Sequence, residues 1–280
     1  EAGSFKPWQK YVRKFDVARA VTQSQFPELR KTHRLLNIAS SSADVYRFLE
    51  RACETEHKFC AVDIEAIHNI PVCIGLAFSE TEAISIPLWN TVPVQCVDEK
   101  QPKKNYKYEL EVSSIPTSDL AYIWKMLARF FLDKRINFIG QNFKYDEDKL
   151  NRLGFFLHGL YADILISQHL ISSELPKSLA FQTSIYTEEP FYKFEGREFN
   201  PARDKIRDLL LYNCKDSCCT LEIWNKHRLE EFPQIRGAEE SFHNFRMKLH
   251  RAYHKVETFG FKVDKEKREE LVRKYSARLA

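Results

Sequence analysis

Three short stretches place carboxylates where apolar residues would be expected. In "FCAVDIE" (59–65), Asp63 and Glu65 interrupt an apolar run and stand two residues apart. In "GQNFKYDEDKL" (140–150), Asp146 follows Asn142 by four residues. In "LLLYNCKDSCCTLEIW" (209–224), Asp216 follows Tyr212 by the same interval. Acids are rarely buried unless paired, hydrogen-bonded or bound to a cation. Gathered in one place, four carboxylates would repel one another strongly, and hard divalent cations are what such a set of oxygens accommodates. The chemistry open to that arrangement is metal-assisted hydrolysis of a phosphodiester, in which two cations about 4 Å apart activate a water and stabilise the leaving oxygen. Each motif alone has an ordinary explanation: an edge strand with a polar face, an Asp in a first helical turn, or an Asp paired with a nearby cation.

The elements that must position these groups follow from periodicity. On a strand, residues i and i+2 share a face, so Asp63 and Glu65 point the same way. On a helix, residues four apart stack, so Tyr212 and Asp216 share a face. That helix is apolar on both sides, through Leu209, Cys219 and Ile223 and through Ile206, Leu210, Cys214, Leu221 and Trp224. Asn200–Pro201 predicts its start, since a capping residue before a proline opens helices, and it should run to about Glu231. Strands are predicted at 59–65, 72–79 and 82–88 as an antiparallel meander. A further strand, "INFIGQ", comes after a helix capped by Ser118. Other helices are expected at 43–53 (capped by the Ser40–Ser42 run), 146–153, 163–172 and 177–186, and residues 90–116 read as a loop or insertion. The fold class is α/β, with a mixed sheet of an antiparallel meander plus a parallel strand, flanked by helices.

Composition agrees with a folded domain. The 280 residues are 44% hydrophobic and 13% aromatic, and the formal net charge of +4 permits a polyanionic partner without requiring one. The apolar runs fall short of the ~20 residues that span a bilayer, so no membrane association is expected. Seven cysteines, Cys53, Cys60, Cys73, Cys96, Cys214, Cys218 and Cys219, contain no C-x-x-C pair and predict packed thiols in a reducing compartment such as the cytoplasm. The first residue is Glu1, and the last segment, "EKREELVRKYSARLA", reads as helix without a stop signal, as in a piece of a longer polypeptide.

The order D-x-E, N-x-x-x-D, Y-x-x-x-D resembles the DEDD exonuclease superfamily in its tyrosine subgroup. More narrowly, the chain resembles the 3′–5′ proofreading domain of family-A DNA polymerases, with phage and viral members the most similar. "GQNFKYDEDKL" resembles that family's second exonuclease motif. "YADILISQHL" (161–170) resembles its D-T-x-L helix, with Asp163 in place and Ile164 where the family has Thr, while Ala66 follows D-x-E where many members have Thr. "KSLAFQTSIYTEEPFYK" (177–193) and "YNCKDSCCTLEIW" carry the likeness to about residue 230, and "LHRAYHKVETFGFKVDKEKREELVRK" resembles the first helices of the polymerase region, with Glu257, Gly260 and Asp264 in register.

The resemblance implies a ribonuclease H-like fold with three parts: an extension of unassigned role (1–55), which could pack on the sheet or touch another protein; an exonuclease domain (56–232); and the helical start of a polymerase region (233–280). It implies two divalent ions, Mg²⁺ or Mn²⁺. Asp63 would bridge both, Glu65 and Asp216 would complete the first, Asp146 would hold the second through water, and Tyr212 would orient the attacking water. The partner would be a single-stranded or frayed DNA 3′ end. Gln141 and Asn142 would meet the backbone of the terminal nucleotides, Lys144 the phosphate, and Tyr145 a base, with Tyr186, Phe191, Tyr192 or Phe194 as further stacking candidates. His68 is expected in a turn near the site, and the basic runs 30–34 and 103–107 as solvated surface. The polymerase region of the same polypeptide would be a partner, no oligomer is expected, and this chain alone should not polymerise DNA. Two rival readings stand beside this one: a ribonuclease D-like enzyme with the same metal core, and a metal-free scaffold. The presence of all four acids and the tyrosine argues against the second.

Overall fold

The computed structural model describes residues 14–15, 17–22, 32–53, 58–94, 107–197, 199–201 and 203–279. Cys96 and residues 30–31 and 103–106 of the two basic runs lie outside them, as do the side chains of Cys53 and Phe194.

A six-stranded mixed sheet forms the centre, in the order β1-β4-β3-β2-β7-β8. Strands β2 (Lys58–Ile67), β3 (Ile70–Ala77) and β4 (Glu82–Pro87) make the expected antiparallel meander. β2 turns into β3 through His68 and Asn69, both at positive φ (47° and 70°), as a two-residue hairpin matched to strand twist requires. After helix α2 (Thr117–Phe131), β7 (Ile136–Gly140) returns parallel to β2. Two strands of this sheet were not foreseen. β8 (Leu160–Asp163) adds parallel to β7, and β1 (Leu35–Ile38) adds parallel to β4 at the opposite edge. Each has only four residues, too few for alternation to register. Residues 35–53 of the expected N-terminal extension therefore belong to the sheet layer: β1 is followed by helix α1 (Ser42–Cys53), whose Asp44 amide donates to Ser41 Oγ.

Residues 90–116 are not simply a loop. β5 (Trp89–Val94) and β6 (Lys107–Val112) pair antiparallel as a separate two-stranded sheet. Proline within the segment argued against a strand, but in a two-stranded ribbon every strand is an edge that tolerates it. Helix α2 begins at Thr117 behind Pro116 and has no side-chain cap, so Ser118 lies inside the helix instead of capping it.

Helix α3 (Lys144–Arg152) follows β7, and β8 runs directly into α4 (Ile164–Ile171), which is succeeded by α5 (Leu179–Tyr186) and the single turn α6 (Phe194–Arg197). The long helix α7 (Ile206–Lys226) packs across β1 to β4 and is buried almost continuously from Leu209 to Trp224. Its start is displaced from Asn200–Pro201. Asn200 accepts from the amides of Arg203 and Asp204 while its own amide donates to Asp204, which closes one isolated turn. Lys205 is then extended, and the helix restarts at Ile206. Beyond a π-helical turn at His227–Glu231 come α8 (Ala238–Ser241), a second π turn (Phe242–Arg246), α9 (Met247–Phe259) and α10 (Lys265–Leu279).

Phe130, Phe131, Phe138 and Phe155 pack ring on ring in the core, with centroids 5.3–5.7 Å apart. Cys60, Cys73, Cys214, Cys218 and Cys219 are buried free thiols, as packed cysteines should be. Among the described residues, no helix is long and apolar enough to cross a membrane.

Candidate active site

Strand β2 and helix α7 bring distant acids together. Asp63, Glu65 and Asp216 each direct a carboxylate oxygen into one pocket, and those oxygens lie within 4.8 Å of one another. The pleat of β2 puts the first two on the face covered by α7. The strand's register shifts between Glu65 and Ala66, a bulge of the kind that re-aims side chains beside functional sites.

Asp146, in the first turn of α3, adjoins this group. It is 5% exposed, its Oδ1 accepts the Ile64 amide at 3.0 Å, and its charge is felt by Asp63 and Glu65. The turn that delivers it is tightly held. Asn142 sits at φ 54°, and the buried Asp163 carboxylate accepts from the amides of Asn142, Phe143 and Leu165, each at 2.9 Å. Asp163 thus caps α4 and fixes the strand-to-helix turn at once.

Burial, followed by the charge of Asp216, pushes the Asp63 carboxyl up to about 7. Burial and Asp63 likewise raise Glu65 and Asp146. The Tyr212 phenol is held well above its ordinary value by burial and by Asp216, so it keeps its proton at neutral pH.

Asn213 and Lys193, which organise the pocket, escaped the sequence reading, and Tyr192, expected as a stacking candidate, has an organising role instead. Asn213 donates from Nδ2 to the Asp63 carboxylate at 2.8 Å and to its carbonyl at 3.1 Å, while its Oδ1 accepts from Ser85. Tyr192 donates to Asp216 Oδ1 at 2.6 Å. Lys193 donates to Asp216 Oδ2 and, at 2.9 Å, to the Tyr212 hydroxyl oxygen. Asn213 could have been suspected from its place beside Tyr212 on the same helix. Tyr192 and Lys193 carried no spacing signal, because they come from the irregular segment before α6.

Helix α7 reaches the sheet closely only because residue 75 lacks a side chain. A Cβ there would stand 2.5 Å from Ser217 Oγ and 2.6 Å from Asn213 Oδ1. Gly75→Ala is therefore expected to cost about 1–3 kcal/mol of stability by overpacking and to loosen Asn213 from Asp63. Urea denaturation would measure the first effect, and hydrolysis of a labelled strand the second.

The residues expected to meet a strand end are scattered around this pocket in different states. Gln141 donates its amide to the Lys177 carbonyl at 3.2 Å, so its NH₂ is engaged within the fold. The side chain of Asn142 is exposed. Lys144 is bound by both oxygens of Glu257 on α9, at 2.7 and 2.8 Å. Tyr145 is 46% exposed, with the Lys149 ammonium 4.3 Å from its ring centre. Of the further aromatics, Tyr192 is buried with its hydroxyl on Asp216, Tyr186 packs edge-on against His227, and Phe191 is 60% exposed.

The hard carboxylate oxygens of Asp63, Glu65 and Asp216, with Asp146 beside them, fit a divalent cation, and their mutual repulsion is what such an ion would relieve. The strands and helices that build the site are arranged as in the ribonuclease H-like α/β fold. No protein-family model matches the sequence, and no curated protein does. Among solved structures, the chain is similar to the Pol1 POL domain of M. smegmatis in complex with DNA primer-template and dNTP, at 13% identity and TM-score 0.58, covering 86% of this chain and 35% of that one. It is similar to Escherichia coli RNase D, an exoribonuclease involved in structured RNA processing, at 16% identity and TM-score 0.51 over 76% and 50% of the two chains. The Aedes aegypti Nibbler EXO domain shares 15% identity and TM-score 0.50 over 75% and 93%. The chain spans about a third of the polymerase structure and half of the ribonuclease.

Proposed function

We propose that this protein is a metal-dependent 3′–5′ exonuclease that removes the terminal nucleotide from a single-stranded or frayed DNA end, as the proofreading part of a family-A DNA polymerase. The observation that carries the reading is the convergence of Asp63, Glu65 and Asp216, with Asp146 beside them and the Tyr212 phenol on the same helix face as Asp216. Asp63, Glu65 and Asp216 would hold one divalent cation, and Asp63 with Asp146 a second, which together supply water activation and charge neutralisation at the phosphorus. Tyr212 is a poor base, since its proton is retained. Its role is to orient the attacking water by a hydrogen bond. Asn142 and Tyr145, both exposed, would meet the backbone and the base of the departing nucleotide.

The polymerase context is supported by the likeness of residues 249–274 to the entry helices of a polymerase region, and by the extent of the match to the Pol1 POL domain. An RNA-trimming reading is supported by the likeness in fold to RNase D, an exoribonuclease. One assay tests both. Strands labelled at the 5′ end, with deoxy or ribo 3′ termini, are incubated with Mn²⁺, Mg²⁺ or EDTA. Stepwise shortening from the 3′ end, abolished by EDTA and faster on the deoxy strand, is the expected result. Preference for the ribo strand would select the RNA reading, and intact strands under every condition would refute nuclease function.

A further inference from the structure

Resting on the reading of this pocket as a cation site, we propose that Lys193 is its resident counter-ion and that loading the cation held by Asp63, Glu65 and Asp216 requires Lys193 to leave Asp216. Lys193 projects from the segment between α5 and α6, and its side chain is 10% exposed. Its ammonium donates to Asp216 Oδ2 and to Tyr212, lies 4.7 Å from the Tyr212 ring centre and 5.1 Å from that of Tyr192, and its charge is also felt by Asp63 and Glu65. Its ammonium thus sits on one of the three acids and within electrostatic reach of the other two.

A divalent ion drawing on the same carboxylate oxygens would stand within a few ångströms of the ammonium. Like charges so close, in a partly buried site, repel far more than they do in water. The two cations therefore compete for Asp216, while Tyr192, bonded to the other oxygen of that carboxylate, holds it in place whichever cation is bound. The lysine then has two opposed effects. It stabilises the metal-free pocket against the repulsion of its acids, and it weakens the first cation's binding.

The sign of a metal-binding change tests this. Mn²⁺ binding to the 280-residue chain would be measured by calorimetry and by the free-ion paramagnetic resonance signal, for the parent, Lys193→Met and Lys193→Arg. Competition predicts that Lys193→Met binds its first Mn²⁺ about tenfold more tightly or better, melts lower in EDTA, and gains more from added Mn²⁺. Lys193→Arg, which keeps the charge, should stay near the parent. A lysine that merely supports the fold would lower the melting temperature and weaken Mn²⁺ binding, and unchanged or weaker binding in Lys193→Met overturns the proposal. If Lys193→Met does not fold, the parent's Lys193 ε-methylene resonance, assigned by its loss in Lys193→Arg, should shift on Mg²⁺ addition, and an unmoved resonance overturns the proposal equally. A parent that binds no Mn²⁺ refutes the cation site itself, whereas a parent that binds while Lys193→Met shows no gain refutes only the lysine's part.

Discussion

Asp63→Asn is expected to lower cation-dependent strand hydrolysis by about three orders of magnitude or more, and at the same time to raise the melting temperature of the metal-free protein. The two effects share one cause. Asp63 is partly buried against Asp216 and Glu65, and its carboxyl is pushed up to about 7 by burial first and Asp216 second. A raised carboxyl holds its proton more tightly in the folded chain than in the unfolded one, where it titrates near its ordinary value of about 4. Its contribution to stability is complete below about pH 4 and is lost as pH rises through about 7, because the native state must then carry a charge it disfavours. Glu65 and Asp146 are shifted in the same direction. The metal-free parent should therefore melt at progressively lower temperature from about pH 4.5 to pH 7.5. Asn has the size of Asp and no charge, so the variant should show a shallower decline and a higher melting point at neutral pH. Adding Mn²⁺ should stabilise the parent but hardly the variant, since only a state that binds the ion gains from it. Calorimetry in EDTA across that pH range, paired with the labelled-strand assay, checks every part. A variant that melts below the parent at pH 7.5 would show that the acids do not oppose one another.

The second large effect concerns a residue far from the pocket. Arg34 is buried and spans three partners: Nε meets Glu189 at 3.1 Å, Nη2 meets Glu222 at 2.5 Å, and Nη1 donates to the Glu80 carbonyl. All three charged side chains are nearly closed to solvent, at 2%, 2% and 9% exposure. Arg34→Met leaves two carboxylates buried without their cation, which typically costs about 3–5 kcal/mol and, in a chain of this size, about 10 °C of melting temperature. Glu189 stands just before Tyr192 and Lys193, so the loss should also release the segment that grips Asp216. Converting Glu189 and Glu222 to Met in the same chain should recover much of the stability, because a buried ion pair is often no better than apolar groups of similar volume. Thermal melts of the single and triple variants decide the matter, and a near-neutral single substitution would show that the charges are solvated.

How much of this was legible before the structure depends on whether the information was local. Asp63 with Glu65, and Tyr212 with Asp216, could be read because strand and helix periods place such pairs on one face, whatever surrounds them. The β2–β4 meander was legible from short connections between β-branched runs. The start of α7 was misread because Asn200 closes its own turn with Asp204, a competition between side chain and backbone that the dipeptide does not reveal. β1 and β8 were missed since four residues carry no period. Lys193 was missed, and Arg34, expected as solvated surface within the basic run 30–34, is instead closed to solvent on Glu189 and Glu222. They are two of 43 Lys and Arg residues, and only the folded chain selects which cations meet buried acids.

The ion pair between Lys144 and Glu257 ties the beginning of α3 to α9. Because both side chains are partly exposed, the bond is weak and fades with salt, yet thermodynamic reciprocity applies to it as to any contact. An anion that engages the lysine frees the glutamate, and a shift of α9 that withdraws the glutamate leaves the lysine open to an anion. Helix α9 is in that sense a gauge, its attachment slackening whenever the surface beside the acids is filled.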